Sequence, residues 1–78
     1  MKNHNERFLQ IGLNIAFYRK MKGLTQMALS EKAGISRTHM SYIEAPNMET
    51  SISLETLFDI ADALEVEPHK FLEFRSKS

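Results

Sequence analysis

An all-α domain is what this sequence predicts, on three observations. Few stretches alternate strictly between apolar and polar residues, the period-two mark of a strand. Glycine and proline, Gly12 apart, stand only at candidate boundaries between segments. Apolar residues recur at helical spacing, as in Ile11, Ile15 and Tyr18, and again in Leu54, Leu57, Ala61 and Leu64.

Five helices follow in order. The first runs from Glu6 to Met21, with Phe8, Ile11, Ile15, Tyr18 and Arg19 on one face. Gly12 costs this helix ~1 kcal/mol relative to alanine, which implies the close approach of another backbone. Gly23 is the expected C-cap. The second helix runs from Gln26 to Ala33, with Thr25 as N-cap, and Gly34 supplies a turn of positive φ. The third runs from Arg37, behind the N-cap Ser36, to Glu44, because Pro46 disfavours helical geometry at Ala45. A loop, Ala45 to Ile52, leads to a fourth helix that starts after Ser53. Glu55 sits in its first turn, where the helix dipole favours an acid, and its expected core face is Leu54, Leu57, Phe58, Ala61 and Leu64. A short fifth helix opens at Pro68, a residue suited to a first turn, and carries Phe71, Leu72 and Phe74.

The 78 residues are read as a single domain, 1–78, with its core in 6–74 and flexible ends at 1–5 and 75–78. That length is near the lower limit for a self-supporting core. It leaves no second domain for an effector and little room for a buried catalytic pocket. The absence of cysteine excludes disulfide scaffolds and thiolate metal sites. No apolar run approaches the ~18 residues of a membrane span, and the N-terminal residues are polar, so a cytoplasmic protein is expected. The formal net charge is zero, but its distribution is not even. Residues 1–39 carry Lys2, Arg7, Arg19, Lys20, Lys22, Lys32 and Arg37 against Glu6 and Glu31, giving +5; residues 40–78 carry Lys70, Arg75 and Lys77 against Glu44, Glu49, Glu55, Asp59, Asp62, Glu65, Glu67 and Glu73, giving −5. The basic half can present a phosphate-facing surface, and the acids from Glu55 to Glu67 read as a solvated opposite side.

The most informative stretch is Gly23-Leu24-Thr25-Gln26, Leu29, Ala33-Gly34-Ile35-Ser36, Met40 and Ile43-Glu44. Two short helices are joined by a glycine turn, with small or apolar residues wherever they must touch. This is a helix-turn-helix, a unit that lays its second helix in the major groove of DNA. Met40 and Ile43, three apart, point inward. Arg37, Thr38, Ser41 and Tyr42 then face outward, with His39 at the flank. Arg37 can fork onto guanine or hold a phosphate, Thr38 and Ser41 can reach base edges or phosphate, and Tyr42 can pack on a thymine methyl or bond a phosphate. The expected DNA-contact set is Gln26, Ser36, Arg37, Thr38, His39, Ser41, Tyr42 and Asn47. His4, His39 and His69 lack ligand spacing, so no metal and no cofactor are expected. No nucleophile, base and orienter can be assembled, so no enzyme is expected either. Leu9, Leu13 and Phe17, four residues apart, form a second apolar stripe along the first helix that could receive a protein partner.

From Ile11 to Leu72 the chain resembles the Cro/cI-type, or XRE, helix-turn-helix family of bacterial and phage transcriptional regulators. The matching stretches are Ile11-Gly12, Ile15, Tyr18-Arg19, Gly23 to Gln26, Leu29, Glu31 to Arg37, Ser41, Ile43-Glu44, Ser53 to Leu57, Ile60-Ala61, Ala63-Leu64, Val66 and Phe71-Leu72. The resemblance implies a compact five-helix, phage-repressor-like domain that binds operator DNA as a symmetric dimer. It implies base reading by Arg37, Thr38 and Tyr42, and a phosphate grip by Gln26, which can also brace the start of the third helix. It implies a buried ion pair between Arg19 and Glu44. The C-terminal cluster Phe71, Leu72 and Phe74 is the expected dimer interface, where dimers of the family often form; Phe71 is expected to fill the core, and one of Leu72 and Phe74, which a short terminal helix cannot both bury, to meet a partner. The chain departs from the family pattern at Ser30, where a small alanine is usual, and at Met27 and Ala28, where acids are common. The loop 45–52 is about two residues longer than usual and has no basic residue.

The expected function is sequence-specific regulation of transcription: a repressor acting as a homodimer on a partly palindromic operator, with recognition helices ~34 Å apart. The alternatives are an antitoxin-like or controller protein whose DNA binding is coupled to a partner protein, and a protein-interaction module on the same fold.

Overall fold

Four α-helices, α1 (Asn5–Met21), α2 (Gln26–Ala33), α3 (Arg37–Glu44) and α4 (Leu54–Leu64), are followed by a 3-10 helix, Pro68–Leu72. The computed structural model describes residues 4–47 and 50–74, and no strand occurs among them. Of the ends expected to be flexible, only His4 and Asn5 lie within the described residues, and Asn5 already opens α1. Met48 and Glu49 of the loop lie outside them.

Side-chain caps start three of the helices in the same way. Thr25 Oγ1 accepts from the Ala28 amide at 3.0 Å, Ser36 Oγ from the His39 amide at 3.0 Å, and Ser53 Oγ from the Thr56 amide at 3.1 Å. Each cap residue is extended, so the chain enters the helix at an angle while one orphan N–H is satisfied.

Three helices also end alike. Leu24 donates to Arg19 O and Gly23 to Lys20 O at the end of α1; Ile35 donates to Ser30 O and Gly34 to Glu31 O at the end of α2; Val66 donates to Ala61 O and Glu65 to Asp62 O at the end of α4. This paired pattern is the Schellman motif, and it requires a left-handed residue at the turn. Gly23 (φ 73°) and Gly34 (φ 74°) meet that requirement without a Cβ, whereas α4 places Glu65 there at φ 57°. The residue after each turn, Leu24, Ile35 or Val66, folds back against the core, so each stop is also a packing contact. Helix α3 ends differently, in an extended Ala45 ahead of Pro46.

The core is drawn from every element: Ile11 and Ile15, Leu29 and Ala33, Met40 and Ile43, Leu57, Ile60, Ala61 and Leu64, and Phe71. Helix α2 lies between α3 and α4, while α1 crosses α3 and carries the 3-10 helix. The crossing of α1 and α3 explains Gly12. A Cβ at this position would run into the carbonyl oxygen of Ile43 and lie 3.2 Å from its carbonyl carbon.

Two expectations need correction. The buried face of α4 is Leu57, Ile60, Ala61 and Leu64; Leu54 is 65% exposed and Phe58 48% exposed. The helix carries more apolar residues than one neighbour can cover, and its packing on α2 and the 3-10 helix selects the sector centred on Leu57 and Leu64. The fifth helix is of the 3-10 type. Pro68 opens it, but only five residues follow the turn, and Lys70 closes an i→i+3 bond to Glu67 O at 3.0 Å.

Candidate nucleic-acid interface

Helix α3 is anchored by Met40, fully buried, and Ile43, and the opposite side of the helix is open. Arg37, Thr38, Ser41 and Tyr42 are all exposed along that side, and His39 is half-buried at its edge. None of the four exposed side chains makes a hydrogen bond or ion pair among the described residues, so their donors and acceptors are available. Ser36 is exposed, but its hydroxyl already accepts the His39 amide. Asn47 is exposed just beyond Pro46.

A buried polar cluster fixes α3 against the rest of the domain. Arg19 grips Glu44 with two parallel bonds, Nε to Oε2 at 2.8 Å and Nη2 to Oε1 at 2.9 Å. Its third nitrogen, Nη1, donates to Leu24 O at 2.8 Å, in the turn between α1 and α2. The two side chains are 11% and 4% exposed, so the pair is desolvated and its bidentate geometry counts. Gln26 adds a third donor, Nε2 to Glu44 Oε1 at 2.9 Å. One carboxylate thus ties together α1, the first residue of α2 and the last residue of α3. Gln26 braces the recognition helix at its end, through Glu44, rather than at its start. The reason is geometric: Gln26 stands beside Glu44 across the α2–α3 contact, whereas the start of α3 is capped by its own Ser36. The half-buried Gln26 amide is held at the N-terminus of α2, with its carbonyl oxygen and second N–H still unused.

A second anchor on α1 gave no signal in the sequence. Asn14 Nδ2 donates to Phe71 O at 2.9 Å and to Glu73 O at 3.1 Å, and Gln10 Nε2 donates to Asn14 Oδ1 at 3.0 Å. Phe71 is fully buried, with its ring edge-to-face on Tyr18 at 5.8 Å. Of the three apolar residues expected at a dimer interface, Phe71 therefore belongs to the core of the single chain, and only Leu72 and Phe74 are exposed. Phe74 and the outer face of α1 bound an open groove of about 430 Å³, lined also by Leu13, Phe17, Lys70 and Glu73.

No group of three metal-ligating side chains occurs among the described residues. No helix among them is long and apolar enough to cross a membrane.

A family model described as helix-turn-helix matches residues 15–71. The HTH-type transcriptional regulator SinR of Bacillus subtilis is 38% identical over 63 residues, which is 81% of this chain and 56% of that protein. The chain spans a little over half the length of the curated relatives it matches. Among solved structures, SinR, the master regulator for biofilm formation, in complex with DNA superposes with a TM-score of 0.75 at 38% identity, covering 81% of this chain and 98% of that one. The restriction-modification controller protein C.AhdI of Aeromonas hydrophila superposes with a TM-score of 0.76 at 26% identity, covering 82% and 94%.

Proposed function

The chain belongs to the helix-turn-helix family, of the Cro/cI type that its sequence resembles, and on that premise we propose that it binds duplex DNA through α3 as a sequence-specific transcriptional regulator. The observation that carries this reading is the open side of α3, where Arg37, Thr38, Ser41 and Tyr42 stand exposed and uncommitted while the helix beneath them is locked by Met40, Ile43 and the Arg19–Glu44 pair. A related chain of the same fold is solved with DNA bound, which supports the reading.

In this proposal α3 lies in the major groove. Arg37 reads guanine bidentately or holds a phosphate, Thr38 and Tyr42 contact base edges, and Ser41, His39 and Asn47 supply flanking contacts. Gln26, held by Glu44 at the dipolar start of α2, donates its free N–H to a phosphate. Rigid mounting matters because contacts to the two helices must meet one DNA surface in register. The protein acts in the cytoplasm as a homodimer on a two-fold operator, with Leu72 and Phe74 toward the second copy. It works as a repressor, with no catalytic step and no cofactor.

Selection from random duplex DNA at two salt concentrations tests this. Enrichment of a two-fold motif is expected, with affinity falling steeply as salt rises. Arg37→Ala is expected to relax specificity at one position at a cost of ~1–3 kcal/mol, and Gln26→Ala to weaken all sites alike. No enrichment together with salt-independent behaviour sinks the proposal. A second reading, a controller whose DNA binding is coupled to a protein partner, draws on the groove between α1 and Phe74. It is favoured if operator affinity changes when such a partner fills that groove.

A further inference from the structure

We propose that copies of this chain associate head to tail, the outer face of α1 on one copy meeting the outer face of α4 on the next. Two exposed apolar faces lie on different helices and carry opposite charge. On α1, Leu13, Phe17 and Met21 follow one another at four-residue spacing and are 44%, 58% and 63% exposed. Lys20 stands on the same face, three residues beyond Phe17. Lys22 follows at the helix end, and Lys70 lies across the groove beside Glu73. On α4, Leu54 and Phe58 are also four residues apart and exposed, with Glu55, Asp59 and Asp62 beside them and Glu65 at the cap. That helix has no basic residue at all.

The α1 face is one aromatic and two aliphatic side chains with Lys20, Lys22 and Lys70 around them against a single acid, Glu73, across the groove; the α4 face is one aromatic and one aliphatic side chain set among acids alone. Neither face suits itself, because a symmetric contact would oppose like charges. Each suits the other, since both present an exposed aromatic ring beside an aliphatic side chain and the flanking charges attract. Both helices lie with their inner sides against one shared core, so their outer faces point away from it and a single chain cannot close the contact on itself. A contact between two different patches is heterologous, and unless its rotation closes a ring it propagates. The patches are small, so the association is weak and reversible. It does not depend on DNA binding.

The test is sedimentation equilibrium of the full chain over a range of concentrations, at about 0.1 M and about 1 M salt, which shortens the screening length from ~10 to ~3 Å. The weight-average mass is expected to rise past that of a dimer with concentration at low salt and to fall back at high salt. Phe17→Ser removes one face and Phe58→Ser the other, without altering charge. Each variant alone is expected to associate about tenfold more weakly than the parent chain. Their equimolar mixture is expected to associate more tightly than either variant, with one head-to-tail contact per pair of chains, because one intact α1 face meets one intact α4 face. Met21→Ser provides a second α1 variant, and circular dichroism confirms that each variant is folded. A parent chain that stays monomeric overturns the proposal and leaves both faces to foreign partners. A mass that stops at two chains, or a mixture no tighter than its better variant, overturns it in favour of a symmetric dimer.

Discussion

Two points along α1 are tied down by different chemistry. Toward its C-terminus, Arg19 is buried, charged and bidentate, and it holds the turn into α2 and the last residue of α3. Midway along, Asn14 is neutral and partly open to solvent, and it holds two backbone carbonyls of the C-terminal segment. The difference sets the cost of failure. Removing Arg19 strands a buried carboxylate that also holds Gln26, whereas removing Asn14 uncovers carbonyls that water can reach. The helix-turn-helix is therefore held stiffly and the C-terminal segment lightly, along one and the same helix.

The largest expected effect breaks the stiff end. Arg19→Ala should cost ~3–5 kcal/mol in denaturant unfolding, with Glu44→Ala similar. Replacing both by apolar residues of like volume should recover much of the loss. A single substitution costing under ~1 kcal/mol, the range of exposed pairs, would show that the pair is not desolvated in solution.

Gly12→Ala comes next, at the same α1–α3 crossing. Helix propensity alone favours alanine by ~1 kcal/mol. The overlap with Ile43 should reverse that sign and leave a net loss of ~2 kcal/mol, as overpacking does elsewhere. A more stable variant would mean that the crossing gives way freely.

Asn14→Ala probes the lighter anchor. A loss of ~1–2 kcal/mol is expected. Amide exchange should speed up around Phe71 while α2 and α3 keep their protection. Uniform acceleration across the domain would erase the contrast between the two anchors.

The smallest effect is a gain. Glu65 occupies the left-handed turn that glycine fills at positions 23 and 34. Glu65→Gly should therefore raise stability by up to ~1 kcal/mol, the left-handed strain relieved outweighing the added freedom of the unfolded chain. An unchanged or lower melting temperature would count against that account.

These anchors also differ in how visible they were in the sequence. The pairing of Arg19 with Glu44 came from the family resemblance; the residues alone showed only a charge on the apolar face of α1. The bounds of α2 and α3 were legible residue by residue, since Thr25, Gly34 and Ser36 each have one local job with a partner three to five positions away. Asn14 was not legible. A polar residue beside an apolar stripe reads as solvated, and its partners are carbonyls 57 and 59 positions on, which carry no side-chain signature. The bond between Gln26 and Glu44 was missed in part: the family resemblance put a brace from Gln26 at the start of α3, and the structure puts it at the end. Leu54 and Phe58 were misplaced because periodicity shows that a helix has an apolar sector, while only the packing of α2 decides how much of it is covered. Helix spacing around Met40 and Ile43 gave the outward side of α3, and the family resemblance gave base reading to Arg37, Thr38 and Tyr42; the structure adds that this side is uncommitted among the described residues.

That last property reaches further. Arg37, Thr38, Ser41 and Tyr42 bear no share of the core and no internal hydrogen bond, so exchanging them should move stability by no more than ~0.5 kcal/mol each. Frame and lettering are separable here: a library varied at these four positions, proline and glycine left out, would sample new specificities on one chassis, each member keeping the parent's fold.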